Sequence, residues 1–314
     1  MSARGWILFA AVSVIWGMPY LFIKIGVEEL TPGFVAWSRV ALAAIVLLPL
    51  AIKTGALRGL PLRWLVAFAA VEIAIPFPLI GFGEQRISSS LAAILIAALP
   101  LVVAFLALRF DHAERPTPVR LAGMLVGLGG VVALVGIDIG GRGPELLGAA
   151  AVLAATLGYA CGPLIVKRHL AGADPLGPVT AAMAIASIML LPFGIGDFPT
   201  ETPATDTLVA IVVLGLVCSA AAFLLFFRLI AEVGPSRATV ITYVNPIVAL
   251  ALGVAVLGES VTAGAIAGLL LILAGSWLAT DGRLPPGLAA IVTRTRERRG
   301  GAGARRARPA ELRG

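Results

Sequence analysis

Apolar residues run in long blocks along this chain, and charged or turn-forming residues gather between them. A helix needs about 20 mainly apolar residues to cross a bilayer. Ten such blocks can be cut, at roughly 5–26, 32–52, 62–82, 88–109, 119–137, 145–166, 176–195, 207–230, 236–257 and 261–280. The breaks hold Glu28 and Glu29, Arg58, Glu84 to Arg86, Asp111 and His112, Asp138, Lys167 and Arg168, Asp197 to Pro199, Glu232 and Glu259. In lipid a segment must satisfy its own backbone, so the blocks predict helices rather than strands. The first block has one early charge, Arg4, but its apolar run continues through Trp16 to about Gly26. It is expected to be a retained helix rather than a cleaved leader.

The blocks repeat. From Pro100 to Pro246 the offset is 146, and from Glu114 to Glu259, Gly123 to Gly268 and Gly130 to Gly275 it is 145. A helix with a proline inside it, an acidic loop and a glycine-punctuated helix therefore occur twice, which is the mark of a duplicated unit. The expected division is a first five-helix repeat over 1–139, a second over 140–282 and a basic tail over 283–314. Five is odd, so the second copy must enter the membrane from the opposite side. The fold class predicted is all-α and integral to the membrane, with ten transmembrane helices as two inverted five-helix repeats. Secondary transporters use that architecture to alternate access to a central site.

Composition supports lipid as the solvent. Of 314 residues, 59% are hydrophobic and 13% are charged, about half the charge of a typical soluble domain. With the N-terminus in the cytoplasm, the inner segments hold Arg4, Lys53, Arg58, Arg63, Arg109, Arg115, Arg120, Lys167, Arg168, Arg228 and Arg237. The outer ends hold only Lys24, Arg86 and Arg142. This bias predicts that both termini are cytoplasmic in a multi-pass protein of the inner membrane. The net charge of +7 comes largely from nine basic residues beyond position 280. That tail reads as cytoplasmic, disordered and in contact with anionic lipid headgroups. RNA binding is the weaker alternative, so no nucleic-acid partner is expected.

Several stretches carry a resemblance. Ser13-Val14-Ile15-Trp16-Gly17 stands in the first block, Trp37-Ser38-Arg39-Val40-Ala41 in the second, and Ser90-Leu91-Ala92-Ala93 leads to Pro100 in the fourth. Gly234-Pro235-Ser236-Arg237-Ala238 leads to Asn245-Pro246 and then Gly258-Glu259, while Thr156 to Ala160 echoes the first block. Over about residues 5–280 the sequence resembles the EamA family of the drug/metabolite transporter superfamily. The resemblance implies a ten-helix carrier whose cavity is lined by helices such as the first, third, fourth, sixth, eighth and ninth. It also implies export of small metabolites, often amino acids. Asn245 stands where the family often has Glu or a small residue.

Two ionisable residues fall inside blocks, Arg39 and Glu72. Charges at such depth are costly unless partnered or wetted. Glu72 is read either as a proton-sensitive or cation-recognising carboxylate at a watery cavity, or as half of a fixed Arg39–Glu72 pair. Its counterpart in the second repeat is Cys218, so the cavity would be chemically lopsided. Pro76 and Pro78 predict a kink that is either static or a gate. The recurring Pro100 and Pro246 predict hinges or packing kinks. Trp16, Tyr159 and Tyr243 lie away from the interfaces where Trp and Tyr normally collect, which suits either a cavity wall or core packing. Thr242 and Asn245 are candidates for substrate contact or for a bond between helices. Gly123, Gly127 and Gly130, with Gly264, Gly268 and Gly275, predict close helix packing, with a homodimer as one candidate use.

Other chemistry finds no support. Cys161 and Cys218 lie far apart in apolar segments, and His112 and His169 lack metal-ligand spacing. There is no catalytic triad and no phosphate-binding loop, so no catalytic residue, metal or cofactor is expected. Any active transport would draw on an ion gradient, with the proton as candidate coupling ion. The expected function is a secondary transporter of amino acids or related amphipathic solutes, in the export direction. A membrane-embedded enzyme and a non-transporting scaffold are the alternatives.

Overall fold

A computed structural model describes residues 2–110, 117–136, 143–233, 238 and 240–279. The expectations placed on Asp111, His112, Glu114, Asp138, Arg142, residues 234–237 and the tail 283–314 lie outside the described residues. The described residues hold six helices long and apolar enough to cross a membrane: α1 (Ala3–Glu29), α2 (Pro32–Thr54), α3 (Leu62–Glu84), α4 (Ser89–Leu106), α6 (Gly143–His169) and α8 (Thr205–Val233). Four shorter apolar helices are α5 (Pro118–Leu134), α7 (Leu176–Met189), α9 (Ile241–Leu257) and α10 (Ala263–Ala279). No strand occurs among the described residues.

Local chemistry sets several of the ends. Thr31 accepts from Phe34 N and precedes Pro32, Ser88 accepts from Leu91 N, and Thr117 accepts from Arg120 N and precedes Pro118. Each is a side-chain N-cap that satisfies an amide the helix cannot. Gly55 (φ 72°) and Gly258 (φ 65°) end α2 and α9 in the left-handed region, which a side chain would strain.

Some predicted helices are not continuous. The block expected at 176–195 is divided into Leu176–Met189 and a short helix, Leu191–Gly196, with Pro192 at its start. The fourth block is interrupted at Ala97 and Ala98, just before Pro100. Helix α3 changes to π-helix over Ala70–Ala74 and resumes as α-helix at Pro76, and α8 does the same over Val213–Ala221. The two π segments occupy corresponding places in the two repeats, since Glu72 and Cys218 align at an offset of 146.

The side chains are sorted as lipid requires. On α5, Gly123, Gly127, Gly130 and Leu134 are buried, whereas Leu125, Leu128 and Val132 are 70%, 58% and 64% exposed. The small residues face protein and the large apolar ones face outward. A Cβ on Gly275 would run into the backbone of Gly127 and Gly123, and one on Gly123 into Ala279 N and Leu278. Helices α5 and α10 thus cross backbone to backbone. Gly127, Gly130 and Gly268 likewise meet neighbouring helices of the same chain.

The packing respects an exchange of the two repeats. Helix α1 packs on α8 and α9, and α6 packs on α3 and α4. Helix α2 packs on α8, and α7 on α3. Three pairs, α2 with α7, α4 with α9 and α5 with α10, map onto themselves.

Candidate functional site

Where α1, α3, α4, α6, α8 and α9 meet, they line, together with Arg39 of α2, a cavity of about 250 Å³. Its lining repeats as the helices do: Trp16 and Tyr159, Pro19 and Pro163, Glu72 and Cys218, Phe77 and Phe223, Ile96 and Thr242, Leu99 and Asn245, Pro100 and Pro246. Tyr20, Ile23, Arg39, Ile73 and Ile80 complete much of the wall.

One wall is aromatic. Trp16 stands edge-on to Phe223, with ring centroids 5.5 Å apart, and tilted against Phe226 at 4.7 Å. Such geometries let the positive edge of one ring meet the negative face of another. The amphipathic spacing of α9 selects which of its residues reach the cavity: Thr242, Asn245 and Pro246 share a face at i, i+3 and i+4. Tyr243, one position on, is not among the lining residues.

Two of the polar groups, Glu72 and Cys218, come from the π segments. Arg39 is buried in α2; its Nε donates to Ser219 Oγ at 2.8 Å, and its guanidinium lies 4.1 Å from the centroid of Phe77. Ser219 in turn donates to Leu214 O at 2.8 Å. That bond reaches back five residues, as the wider π turn allows. Glu72 belongs to the other π segment, and its Oε2 is buried with no hydrogen-bond partner. It lies against Gly162 of α6, where a Cβ would overlap the carboxyl. Arg39 and Glu72 therefore line one cavity without forming a hydrogen bond or ion pair with each other. This leaves each able to face a solute.

Asn245 does structural duty on one side. With its amide oriented to satisfy its neighbours, its nitrogen donates to Ser13 O at 3.1 Å and Ile241 O at 2.9 Å, tying α9 to α1. Gly17 permits that approach, since a Cβ there would meet Val248 and Asn245 O. Pro100 and Pro246 border the cavity. Pro76 and Pro78 do not, but they open the α-helical part of α3 just after the π segment.

Sequence reasoning missed Tyr20, Phe77 and Phe223. The Phe pair carried a signal, an offset of 146 that matches Glu72 to Cys218. It also missed Glu84, read as part of a loop; Glu84 is the last residue of α3 and is fully buried. Lys24 Nζ donates to the carbonyl oxygens of Glu84 and of Ile87, the latter at 3.1 Å. Glu259 accepts from Ser89 N at 2.7 Å, Ser90 N at 3.1 Å and Ser90 Oγ, so it caps the start of α4. A carboxylate there complements the helix dipole.

Comparison with known proteins agrees with this arrangement. A protein of Archaeoglobus fulgidus named "Uncharacterized transporter" is 26% identical over 88% of this chain and 98% of its own. The "Uncharacterized inner membrane transporter YedA" of Escherichia coli (strain K12) is 29% identical over 80% of this chain and 82% of its own. The "Probable amino-acid metabolite efflux pump" of Salmonella typhimurium is 26% identical over 88% and 95%. A solved crystal structure with 18% identity shares the fold at a TM-score of 0.63, covering 89% of this chain and 97% of that one. The model of the EamA-like transporter family matches twice, at residues 3–136 and 146–280. With the duplicated helices and the cavity between them, these matches show a multi-pass membrane transporter of the drug/metabolite transporter superfamily, and the chain belongs to its EamA-like transporter family.

Proposed function

We propose that the chain is a secondary transporter that exports amino acids or related amphipathic solutes across the inner membrane by alternating access. The observation that carries this is the pairing of Arg39 and Glu72 on the wall of one small cavity, each free of the other. A fixed guanidinium suits a solute carboxylate, and the Glu72 carboxyl suits an ammonium or a proton. Trp16, Tyr159, Phe77 and Phe223 offer apolar contact to a side chain. A volume of about 250 Å³ lies just below the usual range for drug-sized ligands, about 300–1,000 Å³, which favours a small solute. The names of the efflux-pump relatives point to the same solute class and direction.

In this reading all ten helices cross the bilayer, and residues 1–139 and 140–282 form inverted halves. Both termini are cytoplasmic, and the tail 283–314 touches lipid headgroups. Pro100 and Pro246 act as hinges, Pro76 and Pro78 serve the gate on α3, and the proton couples through Glu72. Thr242 and the free face of Asn245 orient the solute. The test is counterflow of labelled amino acids in proteoliposomes. Saturable movement of at least one apolar amino acid, lost in Arg39→Lys and weakened in Glu72→Gln, is expected. A folded protein that moves no solute of the panel would overturn the carrier reading and favour a scaffold or membrane-embedded enzyme.

A further inference from the structure

Helix α3 carries two glutamates, and only Glu72 faces the cavity. Glu84 lies about three turns further on. Its side chain is excluded from solvent, and neither carboxyl oxygen has a hydrogen-bond partner. The charged and titratable groups around it come from several elements: Tyr20 and Lys24 of α1, Arg39 of α2, and Glu259 after α9. Helix α4 presents Ser89, whose buried hydroxyl also lacks a partner. Helix α6 presents Gly148 and Val152 against Gly83, the residue before Glu84.

None of these charged neighbours bonds to the Glu84 carboxyl. Lys24 gives its ammonium to the main-chain oxygens of Glu84 and Ile87. Arg39 holds Ser219 and lies on Phe77. Glu259 is bound to the start of α4. An ionised carboxylate with no hydrogen bond at such depth is strongly unfavourable, whereas a protonated carboxyl sheds the charge and gains an O–H donor.

We propose that Glu84 is a proton-binding site, holding a proton while the ends of α1, α3 and α4 are packed as they are here. The proton is released to water when those ends part and Glu84 meets solvent. Its use in coupling rests on the carrier reading above; the protonation itself does not.

Infrared spectroscopy of the full chain in lipid bilayers tests the site without any solute. The C=O stretch of a protonated buried carboxyl is expected near neutral pH. Glu84→Gln removes the Glu84 component, Glu84→Asp shifts it, and Glu72→Gln leaves it in place. Should the Gln variant fail to fold, the shift in the Asp variant decides. Absence of the band in the wild type, or a band that neither Glu84 variant changes, overturns the proposal. In proteoliposomes, Glu84→Gln is further expected to flatten the dependence of solute movement on pH. A Glu84 band in a protein that moves no solute keeps the site and removes the carrier reading. Solute movement with an infrared spectrum that neither Glu84 variant alters removes the site alone.

Discussion

Gly162 shows how one missing methyl group makes room for chemistry. A Cβ there overlaps the Glu72 carboxyl and approaches Phe68. Gly162→Ala is therefore expected to displace Glu72 and destabilise the fold by about 1–3 kcal/mol, the usual range for overpacking. Adding Glu72→Ala should recover most of that loss, and thermal unfolding in detergent measures both. Ser219 gives a second case. Ser219→Ala leaves the buried Arg39 Nε without its acceptor, at an expected cost of about 1–3 kcal/mol; Ser219→Thr, which keeps the hydroxyl, should lose less in the same assay. The sequence showed that Arg39 and Glu72 are ionisable residues within helices, because such a residue inside an apolar block is visible in one dimension. It did not show that they stand apart, because Ser219 lies 180 residues from Arg39. Nor did it distinguish Tyr243 from Tyr20 as cavity residues, since that choice depends on how α9 and α1 are rotated in the bundle.

The apolar blocks gave the helices at the level of elements, and residues such as Thr31, Ser88 and Gly55 gave several ends. The π segments of α3 and α8 were hidden, because hydropathy reports what is buried and not which carbonyl an amide reaches. They matter because each inserts extra backbone where the cavity lies, and so aims Glu72 on one side and Ser219 on the other. Deleting Ala221 is expected to remove the residue that the wide turn accommodates, so that α8 continues as α-helix with Phe223 and Phe226 kept in register and the Ser219 hydroxyl displaced from Arg39. Weakened transport is expected, with helical circular dichroism and Trp fluorescence retained. Unchanged transport would mean that the π turn is incidental. Glu84 was hidden for a related reason: helix ends look like loops in a sequence, and its burial is supplied by α1, α4 and α6.

Across the whole molecule, the duplication was legible from offsets near 145, and the structure adds that each half packs chiefly against the other. Gly275→Leu is expected to abolish the folded, monodisperse protein seen by size-exclusion chromatography, because the side chain has backbone in its way. Leu125→Ala, on the outward face of the neighbouring helix, should change stability by no more than about 0.5 kcal/mol. Reporter fusions after residue 279 are expected to place that end on the same side as the N-terminus, as the Lys and Arg bias requires. A reporter on the opposite side would sink the inverted-repeat reading. The mismatch of Glu72 with Cys218 has a last consequence. Two identical halves would present a solute with two equivalent poses related by the exchange, each carrying the same charges. In the cavity only one half supplies a carboxyl, so the degeneracy is broken: a polar solute is expected to have one orientation of lowest energy, with head and tail fixed.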